Sequence, residues 1–156
     1  MKVLLVSNQR QNAWGVGNPI MYRMRDALEQ DERIEMVEFL PFSNSLFSLR
    51  EIRLSAKEYD VVHIHFGGVY ALIIWLALIG VGAKKLITFH GTDIHARALK
   101  TAKGWKERLK IWLNQKASFL SIRLFDRCGF VAAEMMDYVP KCLASHMQKK
   151  SFVQSL

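Results

Sequence analysis

Tyr59-Asp-Val-Val-His-Ile-His-Phe66, then Gly67-Gly68, an apolar run from Val69 to Ile79, Gly80 and Gly82, and finally Lys85-Leu-Ile-Thr-Phe-His90 before Gly91: this stretch decides the fold. Two short β-rich runs flank one apolar run of helical length, and glycines punctuate each junction. That is a strand–helix–strand unit, the crossover that parallel strands require. Residues 66–83 carry no charge, which raises the question of a membrane span. A helix over 69–79 reaches only ~16 Å at ~1.5 Å per residue, against a hydrocarbon core of ~30 Å. The run therefore reads as an all-round apolar helix buried in an α/β fold.

The same alternation extends outward in both directions. Lys2-Val-Leu-Leu-Val-Ser7 is a continuous apolar strand, covered on both faces in a parallel sheet. Lys2 is followed by too short an apolar stretch for a secretory leader, which needs roughly 7–15 residues. Asn18-Pro19 opens a helix with Ile20, Met24, Ala27 and Leu28 on its apolar face. Ile34–Leu40 alternates as a second strand stopped by Pro41, and 46–58 fits a helix with Leu46, Leu49, Ile52 and Ala56 near helical spacing. Phe130–Ala133 reads as a fifth strand, 134–150 as a helix interrupted near Pro140, and 151–155 as a last strand. Strands alternating with helices predict an α/β fold, a Rossmann-like doubly wound parallel sheet over 1–156.

Composition agrees with one folded domain: 156 residues, 51% hydrophobic and 23% charged. Disorder and collagen-like repeats are excluded, and with Cys128 and Cys142 alone so is a disulfide-rich secreted scaffold. Two cysteines suit a reducing, cytoplasmic setting.

The net charge of +8 is concentrated. Residues 1–96 are balanced, whereas 97–127 hold nine basic residues against Glu107 and Asp126. Within that segment Trp105, Leu109, Trp112 and Leu113 follow helical spacing, with Lys103, Lys106 and Lys110 on another face. A basic helix edged with tryptophan suits an anionic membrane surface, peripheral on the inner leaflet. A solvated surface helix with its apolar face on the core is the competing interpretation. Nucleic-acid binding finds no support, since there is no zinc-finger spacing and no aromatic run of the RNA-binding kind.

Parallel sheets bind ligands beyond the carboxyl ends of their strands, and three motifs fall there. Gly15-Val-Gly17-Asn18 precedes the first helix and offers backbone amides to an anion; two flexible loop glycines explain it equally. His63 and His65 lie two apart on one strand face. No acidic or Cys partner accompanies them, so a packed pair is preferred to a metal site. His90 ends a strand before Gly91-Thr92-Asp93, where glycine permits close approach of a ligand. Asp93 is a candidate cap for the next helix.

Together, Tyr59–Gly68 and Ile87-Thr-Phe-His-Gly-Thr-Asp-Ile94 resemble the N-terminal domain of family 4 glycosyltransferases, the retaining GT-B enzymes. The glycines at 15 and 17 and Asp137-Tyr-Val-Pro140 fall where that family has similar features. The chain departs from it at Ala132-Ala133, where the family often carries Ser, and Glu134 has no partner glutamate at the family spacing. The resemblance implies one half of a GT-B fold, with most of the nucleotide-sugar site in a second Rossmann-like domain that 1–156 does not contain. It implies transfer of a sugar from a nucleotide-diphosphate sugar to an acceptor hydroxyl in glycan or polysaccharide synthesis. Configuration is retained, no metal or other cofactor takes part, and the leaving phosphate acts as base. His90 would orient the donor sugar as the catalytic residue. Gly15, Gly17, Asn18, His65, Gly91, Thr92 and Asp93 would line the substrate cleft. The acceptor would be a glycan, often lipid-linked, which gives the helix with Lys103, Trp105, Lys106, Lys110 and Trp112 a use at the membrane. Fold does not fix function, so a stand-alone nucleotide- or phosphate-binding module and a basic membrane-surface domain are the alternatives.

Overall fold

The computed structural model describes residues 1–7, 19–43, 45–91, 93–94 and 102–153. Their strands are β1 (Lys2–Ser7), β2 (Met36–Pro41), β3 (Val61–His65), β4 (Lys84–Phe89), β5 (Arg127–Phe130) and β6 (Ser151–Val153). The helices are α1 (Pro19–Glu29), α2 (Leu46–Ser55), α3 (Val69–Ala77), α4 (Trp105–Leu124) and α5 (Ala144–Lys150). All strand pairs are parallel, in the order β2-β1-β3-β4-β5-β6. The sheet is a Rossmann-like α/β sheet whose strand order reverses between β1 and β3.

Reversal sorts the helices onto two faces. The step from β1 to β2 runs one way along the sheet and every later step runs the other. Crossovers of one hand then place α1 opposite the remaining helices. Two separate cores record this. Val3 and Leu5 of β1 pack with Met21 and Met24 of α1. Leu4 and Val6 face the other way, into the core that also holds Ile52, Ile74, Ile122 and Met147. Alternate residues of one strand thus belong to different cores, the period-two rule of a strand covered on both sides.

Two aspartates set the strand starts by the same device. Asp60, just before β3, accepts the N–H of Lys2 at 2.7 Å. Asp126, just before β5, accepts that of Lys85 at 2.8 Å. Each carboxylate satisfies the first N–H that the neighbouring strand turns toward it, which would otherwise lack a ladder partner.

Several local expectations change. α1 buries Met21 and Met24, while Ala27 is exposed. Pro41 closes β2 from inside it, paired with Ser7, which is tolerated because β2 is an edge strand. α2 starts at Leu46 as read, capped by Ser45, whose hydroxyl accepts the N–H of Ser48 at 3.0 Å, but Leu46 is 86% exposed rather than on the apolar face. β5 begins three residues earlier than its apolar signal, at Arg127. Gly129 fits there because Thr88 and Phe152 occupy the space of a side chain. Residues 133–143 form short 3₁₀ turns around Pro140 rather than a helix.

The largest departure concerns α3 and α4. α3 ends at Gly80, which takes a left-handed φ of 79°, and Arg53 donates to the terminal carbonyls of Ala77 and Ile79. It buries Ala71 and Ile74, but Val69, Ile73 and Leu76 form an exposed stripe, Leu76 at 58%. α4 is reversed in the same sense. Its core side is Ala117, Ser118, Ser121 and Ile122, with both serine hydroxyls donating to the carbonyls four residues back. Its outer side carries Trp105, Leu109, Trp112, Leu113 and Leu120, Trp105 at 70% exposure. The apolar stripe of the basic segment therefore faces away from the core. Among the described residues, no helix is long and apolar enough to cross a membrane.

Candidate functional site

The carboxyl ends of β3 and β4 are joined by one carboxylate. Asp93, 5% exposed, accepts the N–H of Gly67 at 2.6 Å, of His90 at 3.1 Å and of Gly91 at 2.9 Å. It laces the loop after β3 to the loop after β4; the residues it was expected to cap lie outside the described ones. A charged acceptor taking three amides is a strong tie.

Phe66 lies within the first of these loops with φ at 69°, the one positive φ outside glycine among the described residues. For a bulky residue that is a strained conformation, held by its surroundings. Its N–H donates to the Thr88 carbonyl at 2.9 Å and its ring stacks on His90, centroids 4.2 Å apart. Gly68 and Gly91 also take positive φ, 92° and 104°. At Gly67 a side chain would meet Phe89 and Ser118 at 2.6 Å, so strand, loop and α4 close tightly here.

Three histidines line up behind this edge. His63 and His65, on one face of β3, have ring centroids 4.3 Å apart. His63 Nε2 shares a hydrogen bond with Thr88 Oγ1 at 2.8 Å, and His65 Nδ1 shares one with His90 Nε2 at 3.1 Å. Burial pushes the His63 imidazole down to about 4, helped by the charge of His90. Burial drives His65 well down, helped by both neighbours. Burial also lowers His90, opposed by the nearby Asp93 carboxylate. All three rings are neutral near pH 7 and act as hydrogen-bonding groups rather than cations.

The His65–His90 bond fixes which proton His90 offers. Among the described residues, His65 Nε2 is buried without a partner. An orphaned N–H is the rarer fault in a folded protein, so the network assigns the proton to His65 Nδ1, donating to His90 Nε2. His90, the half-buried member, then carries its own proton on Nδ1 and presents a neutral donor. A pre-set donor beside a strained loop can orient a polar ligand such as a sugar hydroxyl or phosphate oxygen.

Of the expected site residues, the structure gathers His65, His90, Gly91 and Asp93 at one edge. Gly15, Gly17, Asn18 and Thr92 lie outside the described residues. Lys103, Trp105, Lys106, Lys110 and Trp112 are all exposed, Lys103 just before α4 and the other four on it. Three further residues carried no sequence signal. Phe66 is strained only through its backbone. Tyr70, in the first turn of α3, buries its hydroxyl without a partner among the described residues, and burial with the Asp93 charge pushes that phenol up. Asn114 of α4 accepts the N–H of Val69 at 3.1 Å and so caps α3 from a distant part of the chain. Among the described residues no group of three or more His, Cys, Asp or Glu could hold a metal ion.

No family model and no curated protein matches the chain. Among solved structures, it is similar to the UDP-N-acetylglucosamine 2-epimerase from Rickettsia bellii, with a TM-score of 0.42 at 10% identity. That similarity covers 98% of this chain and 44% of the epimerase chain, so the chain spans less than half the length of the protein it resembles.

Proposed function

We propose that the chain is the acceptor-side Rossmann-like domain of a retaining glycosyltransferase of the family 4 type. It works with a second α/β domain that supplies most of the nucleotide-sugar site. One observation carries this reading: His90, which the motif resemblance sets against the donor sugar, stands at the carboxyl edge of the sheet. There it is stacked on the strained Phe66 and tied to His65. In this reading His90 Nδ1–H orients a sugar hydroxyl, His65 holds the His90 tautomer, and the Asp93 carboxylate fixes both loops. Gly91 lets the backbone approach the ligand. The donor is a nucleotide-diphosphate sugar and the acceptor a glycan or a lipid-linked glycan. α4 rests its exposed tryptophans and lysines on an anionic membrane, peripheral on the cytoplasmic leaflet.

Titration of the 1–156 chain with a panel of UDP-, GDP- and ADP-sugars tests it, followed by NMR of the histidine rings. The expected result is saturable perturbation of His90 by at least one of them, lost in His90→Ala, with no sugar transfer by the isolated domain. Absence of any response at His90, or robust turnover by 1–156 alone, overturns the reading.

A further inference from the structure

The first half of α4 and the first residue of α3, Val69, line a groove with a volume of ≈ 410 Å³. Its walls are two parallel ridges of α4, an apolar one of Trp105, Leu109 and Leu113 and a polar one of Lys106, Lys110 and Asn114, with Val69 of α3 closing one end. The ridges follow from helical spacing, since residues four apart stack on one face and the next residue begins the adjoining row. The volume lies in the range of small-molecule sites.

Three features favour an elongated amphiphile with an anionic head. The floor is apolar, and its side chains are exposed rather than turned to the core. The rim is cationic: from 102 to 120 the chain carries Lys103, Lys106, Arg108, Lys110 and Lys116 against Glu107 alone, so the charge complements an anion and disfavours a neutral partner. The closed end leads to the histidine cluster. Val69 is capped by Asn114, Gly68 precedes it, and Gly67 is bonded to the Asp93 that holds His90. A hydrocarbon chain lying along the apolar ridge would have Lys106 and Lys110 beside it for an anionic head, and the Val69 end of the groove leads toward the carboxyl edge of β3.

We propose that the α3–α4 groove binds the hydrocarbon chain of an anionic, single-chain amphiphile, its phosphate-type head held by Lys106 and Lys110. It rests on the transferase reading only where it makes that amphiphile the acceptor. Binding is therefore measured without any nucleotide sugar, and its failure leaves the His90 experiment standing.

The probe is lysophosphatidylglycerol below its critical micelle concentration, with lysophosphatidylcholine as the neutral-head control. Methyl NMR of the 1–156 chain reads the site. Val69, Leu109 and Leu113 shift saturably while buried Ile74 and outer Leu76 and Leu120 stay in place. Leu113→Asp weakens binding by roughly tenfold or more, and Leu120→Asp, outside the groove, leaves it within about twofold. Should Leu113→Asp fail to fold, Leu113→Gln replaces it with the same expected direction. Lys106→Gln with Lys110→Gln removes the preference for the anionic head, on the order of tenfold. Shifts spread equally over Leu76 and Leu120 would mean a general membrane-contact face and overturn the groove. Shifts that follow protein concentration without probe would mean a second copy of the chain and overturn it as well. Equal affinity for both probes overturns the assignment of the lysines.

Discussion

The carboxyl edge of β3 and β4 and the outer face of α3 and α4 handle polarity in opposite ways. The edge buries two imidazoles and a carboxylate and half-buries a third imidazole, His90. The outer face exposes tryptophan, leucine and isoleucine. The edge is compensated locally, because the rings are neutral and bonded to one another or to Thr88, and Asp93 takes three amides. The outer face has no such compensation: its side chains gain little from folding. Departures of both kinds from the usual inside–outside sorting mark places where something other than stability shapes the sequence. What separates them is how each responds when disturbed.

Acid should break the buried edge first. His63 titrates near 6.5 in an unfolded chain and at about 4 in the fold. Its stabilising contribution is complete above about 6.5 and is lost as pH falls through the window toward 4, because only the unfolded chain takes up the proton there. The separation corresponds to roughly 3 kcal/mol from this ring alone. His65 and His90 are shifted in the same direction, so each adds to the loss of stability in acid, and a charge on one ring opposes a charge on the next. Melting temperature followed from pH 7.5 to 4 should fall steeply, and His63→Gln should flatten that fall. An unchanged acid limb in the variant would remove His63 from the account.

Next in size is a pair of glycines with positive φ. Gly68 and Gly80 both take left-handed φ, 92° and 79°. A side chain at Gly68 would meet the amide of Asn114 well inside contact distance, whereas nothing lies within 4 Å of that at Gly80. Gly80→Ala should cost about 1 kcal/mol, the conformational term alone. Gly68→Ala should cost roughly 2 kcal/mol more, from crowding against Asn114 and from its ψ of −169°, which with positive φ is open essentially to glycine alone. Equal losses in chemical denaturation would show that the Asn114 contact yields freely.

How far each region could be read from sequence follows the same division. β1 emerges at Lys2–Ser7 and β3 and β4 within a residue or two, because continuous apolar runs bounded by glycine have no competing assignment. The histidines of β3 share a face, as spacing two requires. Their bond to His90 could not be read, since it depends on the β3–β4 register that sets His65 opposite Thr88. Nor could the role of Asp93, where the local cap competes with a tie between loops that only the folded sheet brings together. α3 and α4 were the hardest. Apolar periodicity says which residues share a face but not which way the face looks. What turned α4 was Ala117, Ser118 and Ser121, small residues that allow close approach to Gly67 and carry no hydrophobic signal. β5 was hidden in the same way, its Arg127 and Gly129 masking a strand whose neighbours supply the missing bulk.

The orientation of α4 can be tested by two substitutions that reverse the ordinary hydrophobic rule. Ser118 is fully buried, and its hydroxyl lies 2.6 Å from where a side chain on Gly67 would begin. Ser118→Leu adds apolar volume to that contact and should cost about 1–3 kcal/mol through overpacking, despite being the more hydrophobic residue. Trp112 lies on the opposite side of the same helix, with Lys116 over its ring. Trp112→Gln removes a large aromatic group that the core does not use, so stability should move by no more than about 0.5 kcal/mol. Its effect belongs elsewhere: co-sedimentation with anionic vesicles at low salt should drop, while the residual binding still disappears in 1 M salt, where the Debye length is ~3 Å. A core-facing Trp112 would give a loss of several kcal/mol, as for other buried aromatic truncations. A stability loss of that size, with vesicle binding intact, would mean that the apolar stripe of α4 faces the core after all.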